Sequence, residues 1–291
     1  VQDMLDIGIE VAFSCLPSDV AAQIESSLTR AGIAVFSNAS HHRAEEGIPL
    51  VIPDINHEQL SVFGTIKGNH ACGTNCTLIP LAVPLAALRE FGIQKVTMRS
   101  EQALSGAGWR LLFNQEANDG RVDPEIPGEA EKVRDELLHV FGTMEQERVI
   151  PAEFDVDVTC QRVSRTDGHQ VFVEVELSES VSIEAVTNSF HSHDWDQITK
   201  SCPSAPLRPL HLVEHIDVSE HLWSNGIQFA SKPDPCLDLK TGMAVVVGDI
   251  ELVGKNTVAF SGYSHNTVRG AAGGTLLLAE LALIEGRFSE S

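Results

Sequence analysis

Two cysteines stand close together in HACGTNCTLIPLA, His70 to Ala82, just ahead of a long apolar run. Three kinds of chemistry fit them. A Cys76 in the first turn of a helix would face unpaired backbone N–H groups and the positive end of the dipole, which favours a nucleophilic thiolate. His70, Cys72 and Cys76 could together hold a metal. However, Cys-x-x-x-Cys with one histidine is a poor zinc pattern, and no metal site is expected. The third option is a buried, inert thiol, a common state for free cysteine.

Other polar residues are suggestive by type and bland by spacing. Arg162 and His169 lie seven apart in CQRVSRTDGH, which alone reads as a solvated arginine and a turn histidine. Glu129 and Lys132 share the first turn of a helix at i, i+3, by default a surface ion pair worth under about 1 kcal/mol. Gln102 precedes the glycine-rich stretch Ser105–Gly108, which is too short to be a phosphate loop unaided. His191 with His193, and His211 with His215, lack a carboxylate or cysteine cluster at ligand spacing and read as solvated loop and helix histidines.

The elements that must position these groups follow from periodicity. Val11 to Cys15 reads as a buried strand, and Pro17-Ser18-Asp19 opens a helix with Val20, Ile24 and Leu28 on one face. Ile33 to Phe36 is a second strand. The loop at its carboxyl end, Ser37 to Arg43, lies where open α/β sheets place ligands. A helix follows Cys76, with Pro80 in its first turn and Pro84 expected to kink or interrupt it. Lys95 to Arg99 reads as a strand, and Pro127-Gly128-Glu129 starts a helix carrying Val133, Leu137, Val140 and Phe141 on one face. From about Phe154 the texture is β. Val156 and Val158 alternate with polar residues, Asp167-Gly168 signals a turn, and Val171 to Leu177 has strict period two. Ala244 to Val247 and Val258 to Phe260 are further strands. The small residues Gly270 to Gly274 lead into a last apolar helix.

The chain has 291 residues, enough for two domains and a substantial core. Lys and Arg total 20 against 41 Asp and Glu, a net charge of −21, which disfavours nucleic acid and anionic membranes as partners. Thr275 to Ile284, the longest apolar run, contains Glu280 and is too short to span a bilayer. Six scattered cysteines argue against a disulfide framework and for a reducing, cytoplasmic setting.

Nine segments together carry a family resemblance. They are FSCLPSDVA, VFSNASHHR, IPLVIPDIN, TNC, EQALSGAG, IPGEAEK, CQRVSRTDGH, TGMAVVVGDI and SHNTVRGAAGG, in order across nearly the whole length. On them the chain resembles the aspartate-semialdehyde dehydrogenase family, in its archaeal and fungal branch. The resemblance implies α/β plus α+β architecture. A partial Rossmann-like NADP-binding domain would comprise 1–75 and 266–291, and an α+β catalytic and dimerisation domain 76–265.

The resemblance also implies roles. Cys76, paired with Asn75, would be the nucleophile, His169 the acid/base, and Gln102 the residue that orients the substrate near the thiol. Arg162 would hold the substrate α-carboxylate and Glu129 its amino group, with Lys132 and Arg43 binding phosphate. Ser37, Ser105, Gly106, Gly108 and Asn266 would border the cofactor. The implied reaction is NADP-dependent reduction of aspartyl phosphate to aspartate semialdehyde and phosphate, by a homodimer or homotetramer.

The sequence departs from the family in two places. Gly73 stands where relatives carry an asparagine, and no glycine-rich strand–turn–helix precedes Val11, so the sequence is expected to be a fragment. Two alternatives stay open: a paralogue reducing an acyl-CoA such as malonyl-CoA, and a non-catalytic dimerisation module.

Overall fold

The computed structural model describes residues 1–65 and 67–287. After a short helix α1 (Gln2–Asp6), strand β1 (Val11–Ser14), helix α2 (Ser18–Arg30) and strand β2 (Ala34–Ser37) form a parallel β–α–β unit, and β3 (His70–Cys72) adds a third parallel strand in the order β1-β2-β3. Parallel strands are buried on both faces, and all four residues of β2 are buried.

The buried stripe of α2 is not the one its apolar spacing suggests. Ala21, Glu25 and Leu28 face inward, whereas Val20 and Ile24 are exposed. A carboxylate at the centre of that stripe is tolerated because Glu25 Oε1 accepts the hydroxyls of Ser14 and Ser37.

The second layer is a six-stranded mixed sheet. Its elements are α3 (Ile79–Ala87), β4 (Ile93–Gln102), α4 (Trp109–Leu112), α5 (Gln115–Asn118), α6 (Glu129–Val140), the small hairpin β5 (Thr143–Glu145) and β6 (Arg148–Ile150), β7 (Asp155–Arg162), β8 (His169–Leu177), α7 (Ile183–Ser192), α8 (Gln197–Lys200), β9 (Leu210–Leu212), β10 (Val245–Leu252) and β11 (Thr257–Ser264). The strand order is β7-β4-β8-β11-β10-β9. Asp167-Gly168 does form the turn before β8, with Gly168 at φ +90 against the Tyr263 ring, but β7 and β8 are not neighbours because β4 lies between them. Val171, Val173 and Val175 pack toward α3, each contributing roughly 1.5–3 kcal/mol by burial. On the opposite face Lys95, Thr97, Arg99, Asp155, Asp157, Glu174 and Glu176 are exposed.

Helix α3 runs through Pro84 without interruption. Pro84 has no N–H for the carbonyl of Pro80. That carbonyl instead lies so close to Gly262 on β11 that any Cβ there would overlap it. Helix α9 (Gly273–Ile284) follows a five-residue π turn, Val268–Ala272, and returns to pack on β2. The final positions of the range 266–291, residues 288–291, lie outside the described residues.

Candidate active site

Strand directions bring the polar residues to one edge. β4 and β7 are parallel, so their carboxyl ends meet and Gln102 pairs with Arg162. β8 runs antiparallel to β4, which puts its first residue, His169, at the same edge. β11 is antiparallel to β8, so Ser264 pairs with His169 and the chain turns there into Asn266.

Cys76 faces this edge from the turn before α3. It lies three residues ahead of Ile79, where the helix proper begins, rather than inside the first turn. Asn75 holds that turn in three ways. Its Oδ1 accepts from Thr77 N–H at 2.7 Å, its Nδ2 donates to Glu129 Oε1 at 2.9 Å, and its own N–H donates to Glu136 Oε2 at 2.6 Å. Behind the cysteine, the π turn brings Gly270 so near that an added Cβ would lie 2.7 Å from Cys76 Cβ. The π turn is anchored by a fully buried ion pair between Arg269 and Asp54.

Cys76 Sγ is 3.3 Å from His169 Nε2. His169 is wholly buried, and its Nδ1 accepts from Ala103 N–H at 3.1 Å. A nitrogen that accepts a backbone N–H carries no proton, so this bond assigns the neutral Nε2–H tautomer. Burial, with Arg162 and Arg165 nearby, holds the imidazole down to about 3. The same burial, with the negative Glu129, pushes the Cys76 thiol up to about 11, while Arg43 and Arg162 favour the thiolate. The resting pair is therefore neutral thiol and neutral imidazole. This corrects the expectation of a thiol acidified by a helix start: desolvation outweighs the turn's N–H groups here.

Arg162 donates to Ala103 O at 2.9 Å, and Gly106 packs over both functional side chains. A Cβ at Gly106 would lie 2.9 Å from the His169 ring and 3.2 Å from the Arg162 guanidinium. Glu129 opens α6 and is in place through Asn75. Arg43 reaches in from the loop after β2, with NH1 on Glu136 Oε1 at 3.1 Å and NH2 on Asn38 O at 2.8 Å.

Several expected residues are placed differently. Lys132 is exposed and makes no ion pair among the described residues. Gln102 is buried and donates to Ser100 Oγ at 3.4 Å. The Ser37 hydroxyl is buried and donates to Glu25, leaving its carbonyl for Gly73 N–H. Asn266 joins two loops, accepting from Gly168 N–H and donating to Ser105 Oγ, both at 2.8 Å. Gly108 takes φ +83 as the N-cap of α4. Cys72 is fully buried beside Ile48 and Leu50, and its thiol is pushed far above the ordinary value. His211, expected to be solvated, sits on β9 against Phe229 with Nδ1 on Ser224 Oγ at 2.7 Å.

Glu136 was missed. It is buried on α6 and links Arg43 to the Asn75 backbone, and its i+7 relation to Glu129 was the available signal.

A cavity of about 720 Å³ adjoins this centre and is lined by Ser105, Asp167, Trp223, His265 and Thr267, though not by Cys76. The ends of β2 and β3 and the start of α9 meet at Asn38, Gly73, Gly270 and Thr275. A Cβ at Gly73 would press on Thr275 Oγ1 at 3.3 Å, and Thr275 in turn bonds Asn38 Oδ1 at 2.6 Å.

Comparison with known proteins gives concordant results. Residues 2–63 match the family described as semialdehyde dehydrogenase, NAD binding domain, and residues 84–269 match semialdehyde dehydrogenase, dimerisation domain. The chain is 34% identical to an aspartate-semialdehyde dehydrogenase of Archaeoglobus fulgidus, over 97% of this chain and 79% of that one. It is 28% identical to a malonyl CoA reductase (NADP) of Metallosphaera sedula, over 96% and 77%. A crystal structure of the Candida albicans aspartate semialdehyde dehydrogenase with NADP superposes with a TM-score of 0.77 at 29% identity, covering 96% of this chain and 79% of that one.

Proposed function

The chain belongs to the semialdehyde dehydrogenase family, and from that membership we propose that it reduces L-aspartyl 4-phosphate to L-aspartate 4-semialdehyde, a step of lysine, threonine and methionine biosynthesis. The observation that carries this reading is the Cys76–His169 contact of 3.3 Å, with Arg162 and Glu129 beside it.

Arg162 offers a planar fork for the substrate α-carboxylate, and Glu129, fixed by Asn75, meets the amino group. Cys76 sulfur attacks the acyl carbon, forming a C–S bond as the C–O bond to phosphate breaks. His169 Nε2–H supports the developing thiolate and then the oxyanion as a donor. A base role at Nε2 would require losing the Ala103 N–H bond, so the thiol proton leaves with the phosphate, toward Arg43. Lys132, exposed one turn from Glu136 on the same helix, would meet the departing phosphate from solvent. Gln102 orients the acyl group from the end of β4.

Asn38 and Gly73, just past the ends of the parallel strands β2 and β3, line a small cleft with Gly270, Ala271 and Gly274, and these small residues suit close approach by the nicotinamide half of a dinucleotide. NADPH, when bound, would supply hydride to the thioacyl carbon, after which the C–S bond breaks, freeing the semialdehyde and returning the Cys76 sulfur. Asn38, Gly73 and Gly270 would border it, with Ser105 and Asn266 on the cavity side and the backbones of Ser37 and Gly108 beyond. Residues 1–75 with 266–291 would form the nucleotide domain, a division supported by the packing of α9 on β2. The exposed sheet face carrying Lys95, Arg99, Asp155 and Glu176 suits pairing into a homodimer or homotetramer in the cytoplasm. Among the described residues, no helix is long and apolar enough to cross a membrane.

Parallel assays test the reading: NADP with aspartate semialdehyde and phosphate, against NADPH with malonyl-CoA. Turnover only with the first pair is expected, because a malonyl group gives Glu129 no amino partner. Turnover only with malonyl-CoA would assign the paralogous reductase. Turnover of neither, with no NADP binding, would assign the non-catalytic dimerisation module.

A further inference from the structure

Behind the loop that carries Arg43, three buried side chains from three elements converge: Glu25 of α2, His42 of the loop after β2, and His70 of β3. They are 0%, 4% and 2% exposed. Glu25 Oε2, His42 Nε2 and His70 Nε2 each lack a hydrogen-bond partner, and all three lie within 4.8 Å of one another. Oε2 is 3.3 Å from His70 Nε2 and 3.7 Å from His42 Nε2.

The surrounding bonds set the electronics. Glu25 Oε1 is already used by the Ser14 and Ser37 hydroxyls, which leaves Oε2 as the free oxygen of a fixed carboxylate. His42 Nδ1 is 2.7 Å from Glu45 Oε2, and the Glu45 carboxylate is paired with Lys67 at 2.7 Å. An acceptor-only carboxylate demands a donor, so His42 carries a proton at Nδ1 and turns Nε2 toward Glu25. Two acceptors facing each other out of water repel unless a cation lies between them.

The structure assigns a divalent-cation site to Glu25 Oε2, His42 Nε2 and His70 Nε2. Two imidazoles and a carboxylate, one imidazole backed by a second carboxylate, are the donor set of zinc-class ions. Bonds of about 2.0–2.2 Å would need only small side-chain rotations from the present spacing. A fourth position opens toward a cleft of about 390 Å³ lined by Thr29, His42, Glu45, Lys67 and His70, which provides an entry path and room for water. Sequence spacing hid the site: His70 stands beside cysteines in the chain, whereas its partners are 28 and 45 positions away. The bound ion would tie α2, β3 and the Arg43 loop together.

Cobalt(II) titration of the intact chain tests the assignment. One equivalent should bind, giving visible ligand-field bands without thiolate-to-cobalt charge transfer. His42→Ala and His70→Ala should abolish those bands, and His215→Ala, an exposed histidine, should retain them. Glu45→Gln should weaken affinity by roughly 10–100-fold. Should the alanine variants fail to fold, zinc K-edge absorption on the unaltered chain decides the question, with a nitrogen and oxygen shell expected. No uptake, uptake indifferent to His42 and His70, or sulfur in the shell would each overturn the site, and no uptake would leave the three groups held by protons.

Discussion

The two nitrogens of His169 have fixed and opposite duties: Nδ1 accepts from the Ala103 backbone, and Nε2 faces Cys76 sulfur at 3.3 Å. Because burial and two arginines hold this ring down to about 3, its titration does not shape activity near neutrality. The pH profile of kcat/KM should carry no limb near 6.5 that disappears in His169→Asn. That variant, which removes the Nε2–H donor, should lose roughly 10²–10³ in rate. Cys76→Ala should lose all turnover and all acyl adduct by intact mass while still binding NADP. An adduct in that variant would place the nucleophile elsewhere.

Gly106 is a packing requirement of the pair. A methyl group there would lie 2.9 Å from the imidazole and 3.2 Å from Arg162, so one of them must move. Gly106→Ala should therefore lower kcat by about 10²-fold with a nearly unchanged urea midpoint. A wild-type rate would show that the ring tolerates displacement.

Glu136 holds Arg43 and the Asn75 amide at once. Burial pushes its carboxyl above the ordinary value, and Arg43 and the Asn75 N–H oppose that push. Glu136→Ala should destabilise the fold by about 3 kcal/mol, since it strands a buried guanidinium. Glu136→Gln keeps the side chain's volume and one acceptor oxygen, while its NH2 cannot accept from the other partner, and should cost less than Ala. Denaturant unfolding of the two variants gives the comparison, and an unchanged midpoint in Glu136→Ala would contradict the ion-pair account.

Acid sensitivity should come from histidines. His169 is held to about 3 by burial with Arg162 and Arg165, His211 to about 4 by burial and His221, and His265 to about 4 by burial against the pull of Asp167. Each is depressed below its unfolded value of about 6.5. Their contribution is thus complete above pH 6.5 and is lost as pH falls toward 4 and then 3. The urea midpoint should drop across that window, less steeply in His211→Asn.

Much of the fold was legible because its signals are local. The first β–α–β unit, the α6 stripe and the period-two run of β8 each follow from spacing within one element. So does the Asp167-Gly168 turn. Other features depend on what a distant segment presents. Val20, Ile24 and Leu28 form an acceptable apolar stripe, but the hydroxyls of Ser14 and Ser37 select the neighbouring stripe with Glu25. The continuity of α3 through Pro84 depends on Gly262, far along the chain. Within the site, Cys76, Arg162 and His169 were located through resemblance, because their spacing alone reads as ordinary. Glu136 was overlooked because its partners, Arg43 and Asn75, lie outside its helix.

Gly270 closing over Cys76 also sets an order in time. At roughly 5–20 residues per second, the ribosome releases the cysteine about 10–40 s before the glycine that covers it. Early in that interval the cysteine has neither Gly270 behind it nor His169 beside it, since both follow it in the chain. The packing that surrounds this nucleophile is thus completed only when nearly the whole chain has been made.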